Sequence, residues 1–416
     1  MAFSRRSAIS VCVLVVLGVV AALAYWHQSQ QKKPGQAADS AAINVTSGED
    51  RGPGSLREAL FIAASAHGEA SITVQVPKVT LRTPLPPIVS SRGVRVQAAQ
   101  SGAEIDASNL SSGPVFDVPA ANVSIAGLHI RNCKGAGVLL RAGHFRMEST
   151  TFDRCDIGVD IAENANEVLL EGNRFSGNRI GVRFAGSNRN TTLVKNEFSE
   201  HRDAGIWAVR AEADRAGPAI SVRENRFNKE RIGILSANVA IALERNELLD
   251  SAEMAMQLTG TGAVARGNRV SRGDGMGIVA ENSRGVVIEN NEIDGLTAYG
   301  IMIKSSADAL VRGNRVHNCG YGLAFVIGTS PSTAIDNTII EPRSNGIDVI
   351  GDSPVLRNNR VLRPRALAYK VVDFESGGHK IRSQPFLEGN NFNARGMIVA
   401  DGDTAPKAST VLSDER

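Results

Sequence analysis

The chain has 416 residues, a formal net charge of +3, 41 glycines and only 5% aromatic residues. That length supplies one large core, and the near-neutral balance offers no electrostatic basis for holding nucleic acid.

Taken in order, Arg5 and Arg6 in a short n-region (1–7) precede an uncharged apolar run, 8–26. The run reaches the lower end of a membrane-spanning length, and Ala22-Leu23-Ala24 also reads as a signal-peptidase site. Anchor and signal peptide both deliver the remainder across a membrane, to the periplasm or outside the cell if anchored and into the medium if cleaved. Arg5 and Arg6 favour an internal N-terminus, although Lys32 and Lys33 weaken the asymmetry. Residues 27–42 form a polar linker.

An N-terminal cap and first coils are expected over 43–118. Ser55-Leu56-Arg57-Glu58 has the form of a capping box, and Leu56, Ala59, Leu60, Ala63 and Ala64 make one apolar face. A short amphipathic helix there can close the open end of a stack and protect its strand edge.

From 119 to 365 a register recurs. Asn-x-apolar triplets start at Asn173, Asn196, Asn225, Asn246, Asn268, Asn291, Asn314, Asn337 and Asn359, with degenerate copies at Leu128 and Thr150. Spacings of 21 to 23 residues, with one of 29, match a β-solenoid coil and are too short for paired helices. A Gly opens a second apolar strand in most coils, as at Gly158, Gly181, Gly205, Gly233, Gly277, Gly300, Gly322 and Gly346. The pattern predicts strand, turn, strand, turn: an all-β, single-stranded parallel β-helix of about 11 coils.

In that register the Asn and the apolar residue two places on face inward, and the residue between them faces out. The Asn suits a left-handed turn, and its amide can bond the Asn above and below. The outward residues read Arg174, Glu197, Arg226, Glu247, Arg269, Glu292, Arg315, alternating in sign. Coils about 4.8 Å apart put unlike charges over one another, which favours one stacking register rather than a binding stripe. Cys12 lies in the apolar run; Cys133 and Cys155 fall on adjacent coils, either as a disulfide or as two small apolar side chains. Cys319 shares their register seven coils later.

The run Gly54-Ser55-Leu56-Arg57-Glu58-Ala59 resembles the bacterial N-terminal module named for its Cys-Ser-Leu-Arg-Glu-Ala signature, with Gly54 in place of the Cys. The triplet repeat resembles right-handed parallel β-helix proteins of the pectate-lyase-like superfamily, including its carbohydrate-binding and sugar-hydrolase repeat group. The two similarities cover roughly 43–365, and they imply polysaccharide substrates by analogy of fold.

For chemistry the informative positions are the outward ones after each coil Gly: Asp160, Arg183, Trp207, Leu235, Gln257, Val279, Met302, Ala324 and Asp348. Turns add Asp153 and Asp156, then Arg179, then His201, Arg202 and Asp203. Trp207 can stack on a pyranose, and Arg179 and Arg183 can hold a uronate carboxylate. Two of Asp156, Asp160 and Asp203 can act as a carboxylate pair in glycoside hydrolysis. Alternatively they can hold Ca²⁺ while His201 or an Arg abstracts a proton beside a uronate. Simple Asp–Arg pairing, with Trp207 under the insertion that begins at Arg210, is the bland alternative. No Asp-Pro-His-Asp string occurs, which argues against the alginate-epimerase branch.

Two further expectations follow. The apolar stretch Leu235, Val279, Met302 and Ala324 is either covered by the C-terminal segment or docks another envelope protein, which would make the chain a non-catalytic scaffold or adhesin-like module. Tyr299, Lys304, His317 and Tyr321 fall on neighbouring coils and can extend a saccharide groove. After Asn359 the pattern loosens, so 366–403 is expected to end the solenoid and fold back along its side, ahead of a disordered tail, 404–416. Together these readings predict an envelope protein that binds, and if catalytic cleaves or epimerises, a polysaccharide.

Overall fold

A computed structural model describes residues 40–90, 92–100, 102–186, 188–210, 219–328, 331–393 and 398–399. The apolar run 8–26, most of the linker, insertion residues 211–218 and the tail from 404 lie outside the described residues. Among the described residues no helix is long and apolar enough to cross a membrane.

Each coil contributes three strands rather than two. In one coil Val168–Glu171, Arg174–Ser176 and Ile180–Phe184 follow one another, and each stacks parallel on its equivalent in the next coil. The result is three long parallel sheets of 15, 14 and 13 strands, called here sheets 1, 2 and 3 in the order the chain visits them. The third sheet corresponds to about 13 turns, more than the eleven the triplets mark, because the first coils lack the triplet. Sheet 1 escapes a sequence reading because only Gly172 and Asn173 separate its strand from the next. The sharp corner depends on Gly172 at φ +61°.

The corner also corrects the expected role of the asparagines. The left-handed residue is the one before the ladder Asn, as at Gly172, Lys195, Glu224 and Arg245. The Asn itself serves through its amide. Asn173 Nδ2 donates to Asn196 Oδ1 at 3.0 Å and to Met147 O at 3.1 Å. The same bond links Asn196, Asn225, Asn246, Asn268, Asn291, Asn314, Asn337, Asn359 and Asn390 in turn. Each amide also donates to a carbonyl of the preceding coil's sheet 1 strand, so the buried side chain is itself satisfied.

Beside the ladder Phe152, Phe175, Phe198 and Phe227 stack with centroids 5.1, 4.8 and 4.7 Å apart. The coil glycines make room for those rings: a Cβ on Gly181 would lie 2.5 Å from Gly205 O and 2.8 Å from Phe198 Cδ1. One interior cluster runs the length of the solenoid, from Ile43 to Leu387. Outside it the alternating charges pair along the axis, Arg174 with Glu197, Arg226 with Glu247 and Arg269 with Glu292. The register is the one read from the sequence.

The helix α1, Leu56–Ser65, buries Leu56, Ala59, Leu60 and Ala63 on the first coils; Ala64 is exposed, against expectation. Ser55 Oγ accepts the Glu58 N–H, and Glu58 Oε2 reaches back to the Gly54 N–H at 2.6 Å rather than to that of Ser55. Asp50, although burial works to raise its pKa, is brought to about 2 by bonds from Arg57, Thr83 and the Arg82 N–H, which ties the loop before α1 to the first coils.

Cys133 and Cys155 are joined by a disulfide, with Cα atoms 4.1 Å apart, and Cys319 is free and buried. At the other end the described residues continue the solenoid rather than folding back along its side. Tyr369–Val372, Phe386–Glu388 and Asn391–Asn393 add one more strand to sheets 3, 1 and 2, and an antiparallel hairpin, Phe374–Ser376 with His379–Ile381, projects between them. Asn390, at the end of the ladder, explains the continuation: it supplies Asn359 with the same bond as every other coil.

Candidate functional site

The outer face of sheet 3 carries the densest set of candidate side chains. Its strands are pinned by the interior glycines, so residues six or seven places after the left-handed corner residue project in a straight column. The observed column runs Asp117, Leu139, Asp160, Arg183, Trp207, Leu235, Gln257, Val279, Met302, Ala324, Asp348, Lys370.

Within it Arg183 binds Asp160 by two bonds, Nε to Oδ1 at 2.8 Å and Nη2 to Oδ2 at 2.6 Å. One turn away Arg179 grips Asp156 through Nε at 2.7 Å and Nη2 at 3.0 Å, and its Nη1 reaches Asp203 at 2.9 Å. The Arg179 bond outweighs partial burial and lowers the pKa of Asp156. Asp160 bonds raise the pKa of Arg183. Trp207, like Leu139, packs on a small apolar cluster of Ala136, Ile157 and Ile180 that is separate from the main core. The sequence reading therefore brings Asp156, Asp160, Arg179, Arg183, Asp203 and Trp207 together on one face.

His201 is not on that face. Its side chain is wholly buried inside the solenoid, with Nδ1 2.8 Å from Glu230 Oε1 and Nε2 3.2 Å from Asn178 Nδ2. It occupies the interior column that begins with Cys133 and Cys155 and continues through Asn178 to Glu230. A proton-abstracting role for His201 is thus withdrawn, because no surface-bound sugar can reach it. Each of the three aspartates is bonded to an arginine, Asp160 to Arg183 and both Asp156 and Asp203 to Arg179. Among the described residues no three His, Cys, Asp or Glu side chains group to hold a metal ion.

Further down the column the apolar stretch does not form a free patch. Val279 and Ala324 are 4% and 1% exposed, and none of the four residues is among the exposed large apolar side chains. The predicted Tyr299–Lys304–His317–Tyr321 group divides in two. Tyr299 and Tyr321 stack at 4.5 Å on sheet 3, where Lys304 pairs with Glu281 at 2.7 Å. His317 stands on sheet 2, bonded through Nδ1 to Asp294 at 2.6 Å. The sequence did not connect Asp348 with the tyrosines, although their register positions were readable. Asp348 accepts from Tyr299 Oη at 3.3 Å and from Asn345 Nδ2 at 2.8 Å, and burial pushes its pKa up.

Three stacked parallel sheets, an internal Asn ladder and an ion-paired outer face define a β-helical solenoid. The family model for the right handed beta helix region matches residues 88–214 and 212–361, and the chain belongs to that family. No curated protein matches it. Among solved structures it is similar to the PL6 family polysaccharide lyase of Pseudopedobacter saltans, at 15% identity and TM-score 0.54 over 88% of this chain and 97% of that one. It is also similar to a mannuronan C-5 epimerase A-module of Azotobacter vinelandii, at 13% identity and TM-score 0.54 over 84% and 98%. A tailspike protein of E. coli bacteriophage HK620, solved with a hexasaccharide, aligns at 12% identity and TM-score 0.55 over 84% and 78%. At these identities the likeness is one of fold.

Proposed function

We propose that this protein binds a polysaccharide along the outer face of sheet 3, in the cell envelope or outside the cell. The observation that carries the reading is Trp207, half-buried on a small apolar cluster directly above the Arg183–Asp160 pair. An indole fixed beside a rigid set of charged hydrogen-bonding groups suits a sugar ring, with its apolar face and its equatorial hydroxyls. The similar structures include a polysaccharide lyase, an epimerase and a saccharide-bound tailspike, which supports the choice of ligand class. Binding is favoured over catalysis because Asp156, Asp160 and Asp203 are all engaged by Arg179 or Arg183, which holds them as a fixed hydrogen-bonding surface.

Affinity electrophoresis of the full chain through gels containing neutral or uronate polysaccharides tests this. Retardation by at least one polymer, lost in both Trp207→Ala and Arg183→Ala while the melting temperature holds, is the expected result. Free migration of the wild-type chain through all of them would sink the proposal.

A further inference from the structure

At the edge where sheet 2 passes into sheet 3, each coil turns on one left-handed residue. Over successive coils these are Lys229, Asp250, Arg272, Gly295, Asn318 and Glu341, with φ between 49° and 74°. Five of the six carry side chains that extend along the edge; Gly295 carries none. A cleft of about 330 Å³ opens at that gap, lined by Asp250, Arg272, Asp274, Thr297 and Arg343 over a floor of Gly273 and Gly295.

The charges around the cleft are unevenly satisfied. Arg272 is paired with Asp250 at 3.3 Å. Arg343 is oriented by its Nε bond to Asn318 Oδ1 at 3.2 Å, which leaves its two terminal nitrogens unclaimed. Among the described residues neither Arg343 nor Asp274 forms an ion pair, although most charged groups nearby do, including His317 with Asp294 and Arg363 with Glu341.

We infer that this cleft is a binding site for a polyhydroxylated carboxylate, a uronic sugar by chemical class, with Arg343 as its carboxylate-binding residue. The terminal nitrogens of a guanidinium match the two oxygens of a carboxylate. Asp274 and the Arg272-bound Asp250, which line the same cleft, accept the hydroxyl hydrogens. A phosphate group, with its greater charge, would meet both aspartates unfavourably, and a neutral sugar would leave the guanidinium unpaired. The site is separate from the sheet 3 face, and rests on the polysaccharide reading only for the choice of a sugar as the carboxylate's carrier.

The test is saturation-transfer NMR and calorimetry of the full chain with galacturonic acid, a galacturonate oligosaccharide and inorganic phosphate. Arg343→Ala should weaken galacturonate binding about 10- to 100-fold, the scale of a charge-assisted hydrogen-bond pair. Gly295→Asn should do the same by filling the gap, since Asn tolerates the left-handed conformation, as Asn318 does in the next coil. Phosphate should not compete. Binding of the monosaccharide would identify a site for free uronic acids, and binding of the oligosaccharide alone a site for the polymer; either supports the inference. Oligosaccharide binding that is lost in Trp207→Ala but intact in Arg343→Ala and Gly295→Asn would overturn the cleft while preserving the sheet 3 reading. Wild-type chain that binds neither galacturonic acid nor its oligomer would also overturn it.

Discussion

His201 Nδ1 lies 2.8 Å from Glu230 Oε1, with both side chains fully enclosed by the solenoid. Glu230 also accepts the His201 backbone N–H at 3.2 Å, so its carboxylate satisfies two donors of the coil below. Truncating one partner leaves the other buried without a mate, a loss of about 3–5 kcal/mol. Glu230→Ala should therefore lower the urea midpoint strongly. The double variant His201→Leu, Glu230→Leu should recover part of that loss, and equal midpoints for the single and double variants would contradict the pairing.

Asn246 in the ladder and Arg226 on the surface, on adjacent coils, should respond differently. Asn246 Oδ1 accepts both the N–H and the side-chain amide of Asn225, each at 3.0 Å, and its own amide donates to Val222 O at 2.9 Å. Asn246→Ala removes all three bonds and leaves the buried Asn225 N–H without its acceptor, and should cost about 2–3 kcal/mol. Arg226→Ala removes an exposed pair with Glu247 at 3.6 Å and should cost at most about 1 kcal/mol. Chemical denaturation of the two variants at one pH makes the comparison.

Gly181→Ala probes the phenylalanine column. The added methyl meets backbone oxygen of the next coil as well as the Phe198 ring, so it cannot be relieved by rotating one side chain. Destabilisation of about 1–3 kcal/mol is expected. Gly172→Ala should also destabilise, by conformation alone, since nothing lies within 4 Å of its would-be Cβ but its φ is +61°.

The pH dependence of stability should contain a term from Asp352. Burial raises its pKa from 3.8 to about 6, Ser353 N–H bonds Oδ1 at 2.6 Å, and Oδ2 has no partner among the described residues. A folded pKa above the unfolded one means the folded state binds the proton more tightly. The stability contributed is full below about pH 4 and is lost as pH rises through about 6. Asp352→Asn should raise stability at pH 8 by up to about 3 kcal/mol and flatten the profile between pH 4 and 7. Thermal melts of both proteins across that range would show it, and parallel profiles would exclude Asp352 as the source.

Much of this architecture is one-dimensional and therefore legible before folding. A 22- or 23-residue offset in sequence becomes a single step between stacked coils, so the charge ladder, the Asn and Gly columns and the order Asp160, Arg183, Trp207 could all be read directly. The continuation past Asn359 was also present, in Asn390, but the hairpin interrupted the spacing.

What the amino-acid sequence by itself determined was the period, the register and which side chains share a column, because those follow from repeat spacing and the alternation of an extended strand. Tertiary structure alone decided which way the corners aim and what each charge meets. Glu200, left-handed at φ 58°, breaks the alternation and turns the next residue, His201, into the interior. Likewise the pairing of Asp156 and Asp203 through Arg179, the burial of Ala324 and the gap at Gly295 depend on neighbouring side chains one and two coils away. Those contacts are set by size and direction in three dimensions, which the spacing of residues along the chain does not encode.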